Sequence, residues 1–168
     1  MKIRPENESD YAAVAEVHQQ AFQQENEAKL VESIRCSDRY IPELSLVTEI
    51  EDKIVAHVLF SYIDLVGAET LQILGLAPVA VLPQWQKQGI GSNLIQVGLE
   101  IAAQRKEKMA IVLGHSQFYS RFGFEPTVHY QIESPFPVPD DVFLVKLLTS
   151  YRQNYRGKVV YPPAFEVV

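Results

Sequence analysis

The sequence predicts an α/β (α+β) protein built on a mixed, mostly antiparallel central sheet, and three observations carry that expectation. Segments 44–50 and 54–66 are rich in branched residues and are joined by Glu51-Asp52-Lys53, which reads as an antiparallel hairpin. An apolar strand at 70–82, a helix opening near Gly89 and an apolar strand at 109–113 form a β-α-β unit. Its two strands should run parallel with a right-handed crossover. Ahead of the hairpin, Ala13, Val14, Val17, Ala21 and Phe22, then Ala28, Leu30, Val31 and Ile34, recur at helical spacing.

Taken in order, residues 1–4 suit an edge strand ended by Pro5. Ser9 or Asp10 is placed to cap the first helix, and a polar break at 23–26 separates it from the second. The strand at 70–82 contains Pro78, which has no N–H to give a ladder, so a bulge or an unpaired stretch is expected there. The following helix puts Leu94, Ile95, Leu99, Ile101 and Ala102 on one side and ends in the polar, basic run 104–108, which suits the negative end of its dipole. The strand at 109–113 has no polar residue, as expected where both faces are covered. A short helical piece at 118–122, a strand at 128–133, a proline-spaced loop at 134–139 and a strand at 142–148 follow. The expectation is one domain over 1–168, with a core at about 1–148 and an apolar tail, 149–168, docked on it.

The chain has 168 residues, 47% hydrophobic and 21% charged, which is ordinary for one globular domain. A net charge of −6 and the lack of a basic stripe disfavour nucleic acid as the main partner. The apolar runs are too short or too broken for a bilayer, and no basic-then-apolar leader opens the sequence, so a cytoplasmic monomer or homodimer is expected. Cys36 is the single cysteine, and with four scattered histidines it shows no metal-ligand spacing.

Gly89 and Gly91 stand between a buried strand and a helix. Free N–H groups at a helix start, with the positive end of its dipole, make an anion site, and glycine lets a ligand approach the peptide planes. A ligand-free tight connection is the plainer alternative. The Walker spacing is absent, and a dinucleotide fingerprint would need glycine where Leu94 stands. What remains is [QR]-x-x-G-x-[GA], in Gln86-Lys87-Gln88-Gly89-Ile90-Gly91, after a strand ending Val79-Ala80-Val81-Leu82-Pro83. This resembles the coenzyme A motif of the GNAT acetyltransferase superfamily, and the order of elements resembles that family along nearly the whole chain. Tyr119-Ser120-Arg121-Phe122-Gly123-Phe124 is similar to its Y-x-[KR]-x-G-F segment. The resemblance implies helices on both faces of the sheet, a splayed parallel strand pair and acetyl-coenzyme A as co-substrate. It further implies that Val79, Ala80 and Val81 line the pantetheine arm, that residues 86–91 wrap the pyrophosphate, and that no metal is needed.

The implied reaction is attack of a primary amine on the thioester. A phenol, with a reference pKa of about 10, is protonated at neutral pH, so Tyr119 is the expected general acid for the leaving sulfur. The base that deprotonates the amine has three candidates: His115, His57 and Glu27, with His115 first because it adjoins the Tyr119 segment. Each also has a purely structural reading as a turn, core or first-turn residue. Gly114-His115-Ser116-Gln117-Phe118 imitates a nucleophile elbow but lacks the closing glycine, so a serine hydrolase is disfavoured. The competing class is a domain that binds acyl-coenzyme A without turnover, as a sensor or interaction module.

Overall fold

The structure, a computed structural model, describes residues 1–167. Its strands are β1 (Lys2–Pro5), β2 (Ser45–Ile50), β3 (Lys53–Val66), β4 (Thr70–Val81), β5 (Met109–Leu113), β6 (Glu125–Pro126), β7 (Ile132–Glu133), β8 (Phe143–Leu147) and β9 (Gly157–Val160). The α-helices are α1 (Tyr11–Phe22), α2 (Asn26–Arg35), α3 (Ile90–Gln104) and the single turn α4 (Ser116–Tyr119). Hydrogen bonding orders the sheet β1-β2-β3-β4-β5-β8-β6, with β9 joined to β3 and β7. The β4–β5 and β7–β9 pairs are parallel. The chain divides into two compact units, each assembled from separated stretches: 1–61 with 77–101 and the tail from 163, and 62–76 with 102–162.

In the first unit the predicted hairpin is present, with a tighter turn than expected. Glu51 and Asp52 both take left-handed backbone, φ 51° and 62°, and Lys53 already belongs to β3. Two central residues of that kind match the right-handed twist of the flanking strands. The core gathers Val14 and Val17 of α1, Leu30, Val31 and Ile34 of α2, Leu46, Val47, Val58 and Phe60 of the hairpin, and Leu94 and Ile95 of α3, all 5% exposed or less. Gly98 lets α3 lie directly on Phe60, because a Cβ there would sit 2.2 Å from the ring. The expected cap is corrected. Asn7 caps a 3-10 turn ahead of α1, while Asp10 makes no cap to α1 and instead accepts from the Asn7 N–H and pairs with Arg4 at 2.7 Å. A nearby guanidinium outbid the helix end for that carboxylate.

A polar network runs through this apolar interior. The Glu6 side chain is wholly buried and accepts from Arg35 Nε (2.9 Å), Arg35 Nη2 (2.7 Å) and the Tyr40 hydroxyl (2.7 Å). Arg35 in turn lies 3.8 Å over the Tyr11 ring. His57 Nδ1 meets His18 Nε2 at 2.8 Å, and His57 Nε2 lies 2.9 Å from Ser45 Oγ and 3.7 Å from Glu6 Oε1. One tautomer fits best: His18 donates from Nε2, and His57 donates from Nε2 toward Ser45 and Glu6. Of the nitrogens of these two rings, the bare His18 Nδ1 alone is then left without a partner, and an orphaned lone pair costs less than an orphaned N–H.

In the second unit the parallel ladder pairs Leu74 with Ala110 and Gly75 with Ile111, upstream of the cis Ala77–Pro78 bond. β5 and β8 pair antiparallel from Met109↔Leu147 to Leu113↔Phe143. The expected strand at 128–133 is corrected to a 3-10 turn at Thr127–Tyr130 and a two-residue strand, β7. Gln131, at φ 58°, turns the backbone out of the extended region between them. The tail is more than an apolar cover: β9 hydrogen-bonds to β3 on one side and β7 on the other. Gly157 permits this, since a Cβ would fall 2.3 Å from the Val66 carbonyl oxygen.

Two outcomes are expected. Arg35→Met strands the Glu6 carboxylate and should cost about 3 kcal/mol in urea denaturation, with Glu6→Gln added to it restoring part of the loss. Burial, reinforced by His57 and Arg35, holds the His18 pKa down to about 2, and burial with Arg35 holds His57 at about 3. The unfolded chain, near 6.5, binds protons that the folded chain refuses, so this stability is intact above about pH 6.5 and drains as pH falls below it. About 2 kcal/mol per histidine should be gone by pH 5, and His57→Gln should flatten the urea-midpoint profile between pH 7.5 and 5.

Candidate functional site

In the first unit, β4 delivers Val79, Ala80 and Val81 to a 3-10 turn, Pro83–Trp85, and then to α3. Ala80 is buried, while Val79 and Val81 are half-buried. Leu82 N–H bonds back to the Val55 carbonyl at 2.9 Å, fixing where the strand ends. Residues 86–89 are exposed and Ile90 is buried, which anchors the helix start. Lys87 and Gly89 have left-handed backbone, φ 64° and 84°. The chain thus reverses its backbone hand twice within three residues, directly before the helix start. The first helical hydrogen bond runs from Asn93 N–H to the Gly89 carbonyl at 3.0 Å, so helical geometry leaves Gly89, Ile90 and Gly91 without an intrahelical acceptor for their N–H groups.

Space decides whether an anion fits. No atom lies within 4 Å of a Cβ built on Gly89, so its peptide faces open space. On Gly91 the same Cβ would meet Val81 Cγ2 at 3.5 Å, so the first turn of α3 rests closely on the end of β4. The Gln86 side chain was read in the sequence only as part of the motif. Its amide donates to the Val81 carbonyl at 3.0 Å and clamps the loop to the strand it leaves. Nothing in the spacing shows that bond, because Gln and Arg are both allowed at that position.

In the second unit, β5 ends at Leu113 and the chain turns through Gly114 and the exposed His115 into α4. His115 stands at the N-terminal boundary of α4, where its carbonyl accepts from Phe118 and Tyr119 N–H. Tyr119 is 8% exposed and is ringed edge-on by Phe118 (4.9 Å) and Phe124 (5.5 Å). Burial pushes its phenol up to about 12, so it stays protonated through the neutral range. Gly114 is required beside it, because a Cβ there would come 2.4 Å from Tyr119 Cε2. Of the other base candidates, His57 is sealed in the core against His18 and Ser45, closed to any amine, and Glu27 is held by Gln24 at 2.9 Å.

The Acetyltransferase (GNAT) domain family matches residues 2–127. The chain belongs to the GNAT acetyltransferase family. This acetyltransferase is 32% identical over 166 residues to the uncharacterised N-acetyltransferase YhbS of Escherichia coli, covering 98% of each chain. It is 32% identical over 158 residues to another from that organism, YjhQ, covering 91% of this chain and 87% of that one. A crystal structure of YhbS in complex with CoA superposes with a TM-score of 0.89, at 30% identity, over 98% of this chain and 91% of that one. A GNAT acetyltransferase from Brucella melitensis in complex with acetyl-CoA gives a TM-score of 0.80 at 28% identity, over 98% and 97%. The mixed sheet is therefore the GNAT fold, as expected from the glycine turn and the order of elements. Among the described residues no helix is long and apolar enough to cross a membrane, and no cluster of three histidine, cysteine or acidic side chains is placed to hold a metal ion.

Proposed function

We propose that this GNAT acetyltransferase moves an acetyl group from acetyl-coenzyme A to a primary amine by direct attack, as one catalytic domain working in the cytoplasm. The observation that carries the reading is the start of α3: an exposed turn with two left-handed residues, open space over Gly89 and helix-start N–H groups that have no intrahelical acceptor. Relatives of the same fold in complex with CoA and acetyl-CoA support it. In this reading residues 86–91 hold the pyrophosphate, Lys87 adds a positive charge, and Val79, Ala80 and Val81 pair with the pantetheine arm as an added strand would.

The amine lone pair forms the new N–C bond as the carbonyl electrons move to oxygen. When they return, the C–S bond breaks and sulfur leaves as a thiolate. Tyr119 faces that charge. A phenol at about 12 is a weaker acid than a thiol at about 8.5, so full proton transfer to sulfur is uphill by several kcal/mol. Its main contribution is then a hydrogen bond that strengthens as negative charge grows on sulfur, with solvent completing the protonation. The nitrogen gives up its proton to His115 or to a water beside it. His115 is the better-placed base on access, because it is exposed while His57 is sealed.

Gly89→Glu sets a carboxylate against the pyrophosphate and forces a side chain into left-handed backbone; coenzyme A binding should vanish in calorimetry. Unchanged affinity would remove the site from this turn. Tyr119→Phe should lower kcat about a hundredfold with coenzyme A affinity held within about twofold. Undiminished turnover would strike Tyr119 from the mechanism. A tight acetyl-coenzyme A complex that never acetylates any amine would favour a binding module instead.

A further inference from the structure

One guanidinium of the second unit is held in an unusual way for this protein. Arg4 pairs with Asp10 and Glu49, Arg35 with Glu6, Arg39 with Asp38 and Arg105 with Glu107. Arg156 pairs with no carboxylate among the described residues; its Nη1 donates to the Gln131 side-chain oxygen at 2.6 Å. The backbone fastens the same two residues a second time, because Gly157 N–H donates to the Gln131 carbonyl at 3.2 Å. Fixing a long exposed side chain costs rotamer freedom, and a neutral amide offers little charge attraction to offset it. One N–H of the guanidinium is used there, and the rest of its planar fork is open to a ligand.

Arg156 and Gln131 line a cavity of about 450 Å³, together with Asn154 and Tyr155 and with Glu69 and Leu71 from the β3–β4 connection. The volume is in the range of small-molecule sites. Its two sides are pressed together at one point, since a Cβ on Gly67 would lie 2.4 Å from the Arg156 carbonyl oxygen. Glu69 is exposed, and its carboxylate takes part in no hydrogen bond or ion pair among the described residues. Only its main-chain carbonyl is engaged, by Gly67 N–H at 2.9 Å. A carboxylate and a guanidinium thus border one cavity without reaching each other.

That pair of charges selects the occupant. A dianion such as phosphate is repelled by Glu69, and a polyamine is repelled by Arg156. A molecule with one charge of each sign satisfies both. The guanidinium fork matches a carboxylate, and a carboxylate accepts from an ammonium. Tyr155 and Leu71, both half-buried, offer apolar surface to the body of such a molecule. We infer that this cavity binds a free α-amino acid with an apolar side chain, its carboxylate on Arg156 and its ammonium on Glu69. The site shares no residue with the segments 79–81 and 86–91 proposed for coenzyme A, and it stands or falls apart from that proposal.

Calorimetry of the purified protein with L-phenylalanine, 3-phenylpropanoate and 2-phenylethylamine tests it, the last two each lacking one of the charges. L-Phenylalanine should bind at least about tenfold more tightly than either. Arg156→Met should weaken L-phenylalanine and 3-phenylpropanoate about tenfold and leave 2-phenylethylamine within about twofold. Glu69→Gln should do the reverse, weakening L-phenylalanine and 2-phenylethylamine while 3-phenylpropanoate binds no worse. Urea midpoints show that each variant is folded, and coenzyme A binding in the same samples reports on the donor turn alone. No binding of L-phenylalanine at millimolar concentration, or affinities indifferent to both substitutions, overturns the proposal. Inorganic phosphate that displaces L-phenylalanine and binds more tightly would make the cavity a simple anion site and overturn it equally.

Discussion

Burying the Glu6 carboxylate is the constraint around which the first unit is organised. A charge in an apolar interior is tolerated only when every lone pair is met, and three donors from two separate stretches meet this one. Arg35 comes from the last turn of α2 and Tyr40 from the loop that leads to β2, while Glu6 follows β1. The network therefore joins three stretches that hydrophobic packing alone would let slide. It extends to the histidine pair, whose neutral state is a consequence of the same dry surroundings.

The parts of the fold legible in the sequence are those with local causes. The hairpin, the strand Met109–Leu113 and the helix after Gly89 follow from periodicity and from the conformations that glycine and proline allow, and they fall within a residue or two of expectation. Where a distant partner decided the outcome, the reading failed or ran out. Asp10 left the helix end for Arg4, Gln131 bent a strand into a turn, and the pairing of His18 with His57 crosses 39 residues. β9 belongs with these. Its four residues carry no pattern that marks both edges they join.

The site shows the same division. The turn proposed for the donor side was legible as a turn, because glycine at 89 takes the left-handed backbone that other residues avoid. The left-handed Lys87 and the Gln86 clamp were not legible, since neither residue type demands its geometry. Solvent access separates the two histidines that spacing could not. Spacing gave His57 and His115 comparable standing, whereas one is sealed in the core and the other is exposed at a strand end.

The placement of β9 has a bearing on how the chain comes into being. Residues 157–160 are synthesised after both of the strands whose edges they cover, made by residues 64–66 and 132–133. The tail beyond it packs on α2, near the other end of the chain. Both units thus wait for residues 157–167 before their borders close. Until residues 157–160 have emerged, a nascent chain carries open ladder edges, the condition in which neighbouring chains pair wrongly. Emergence of residues 157–160, more than translation of any segment before them, is the moment at which this sheet can be completed.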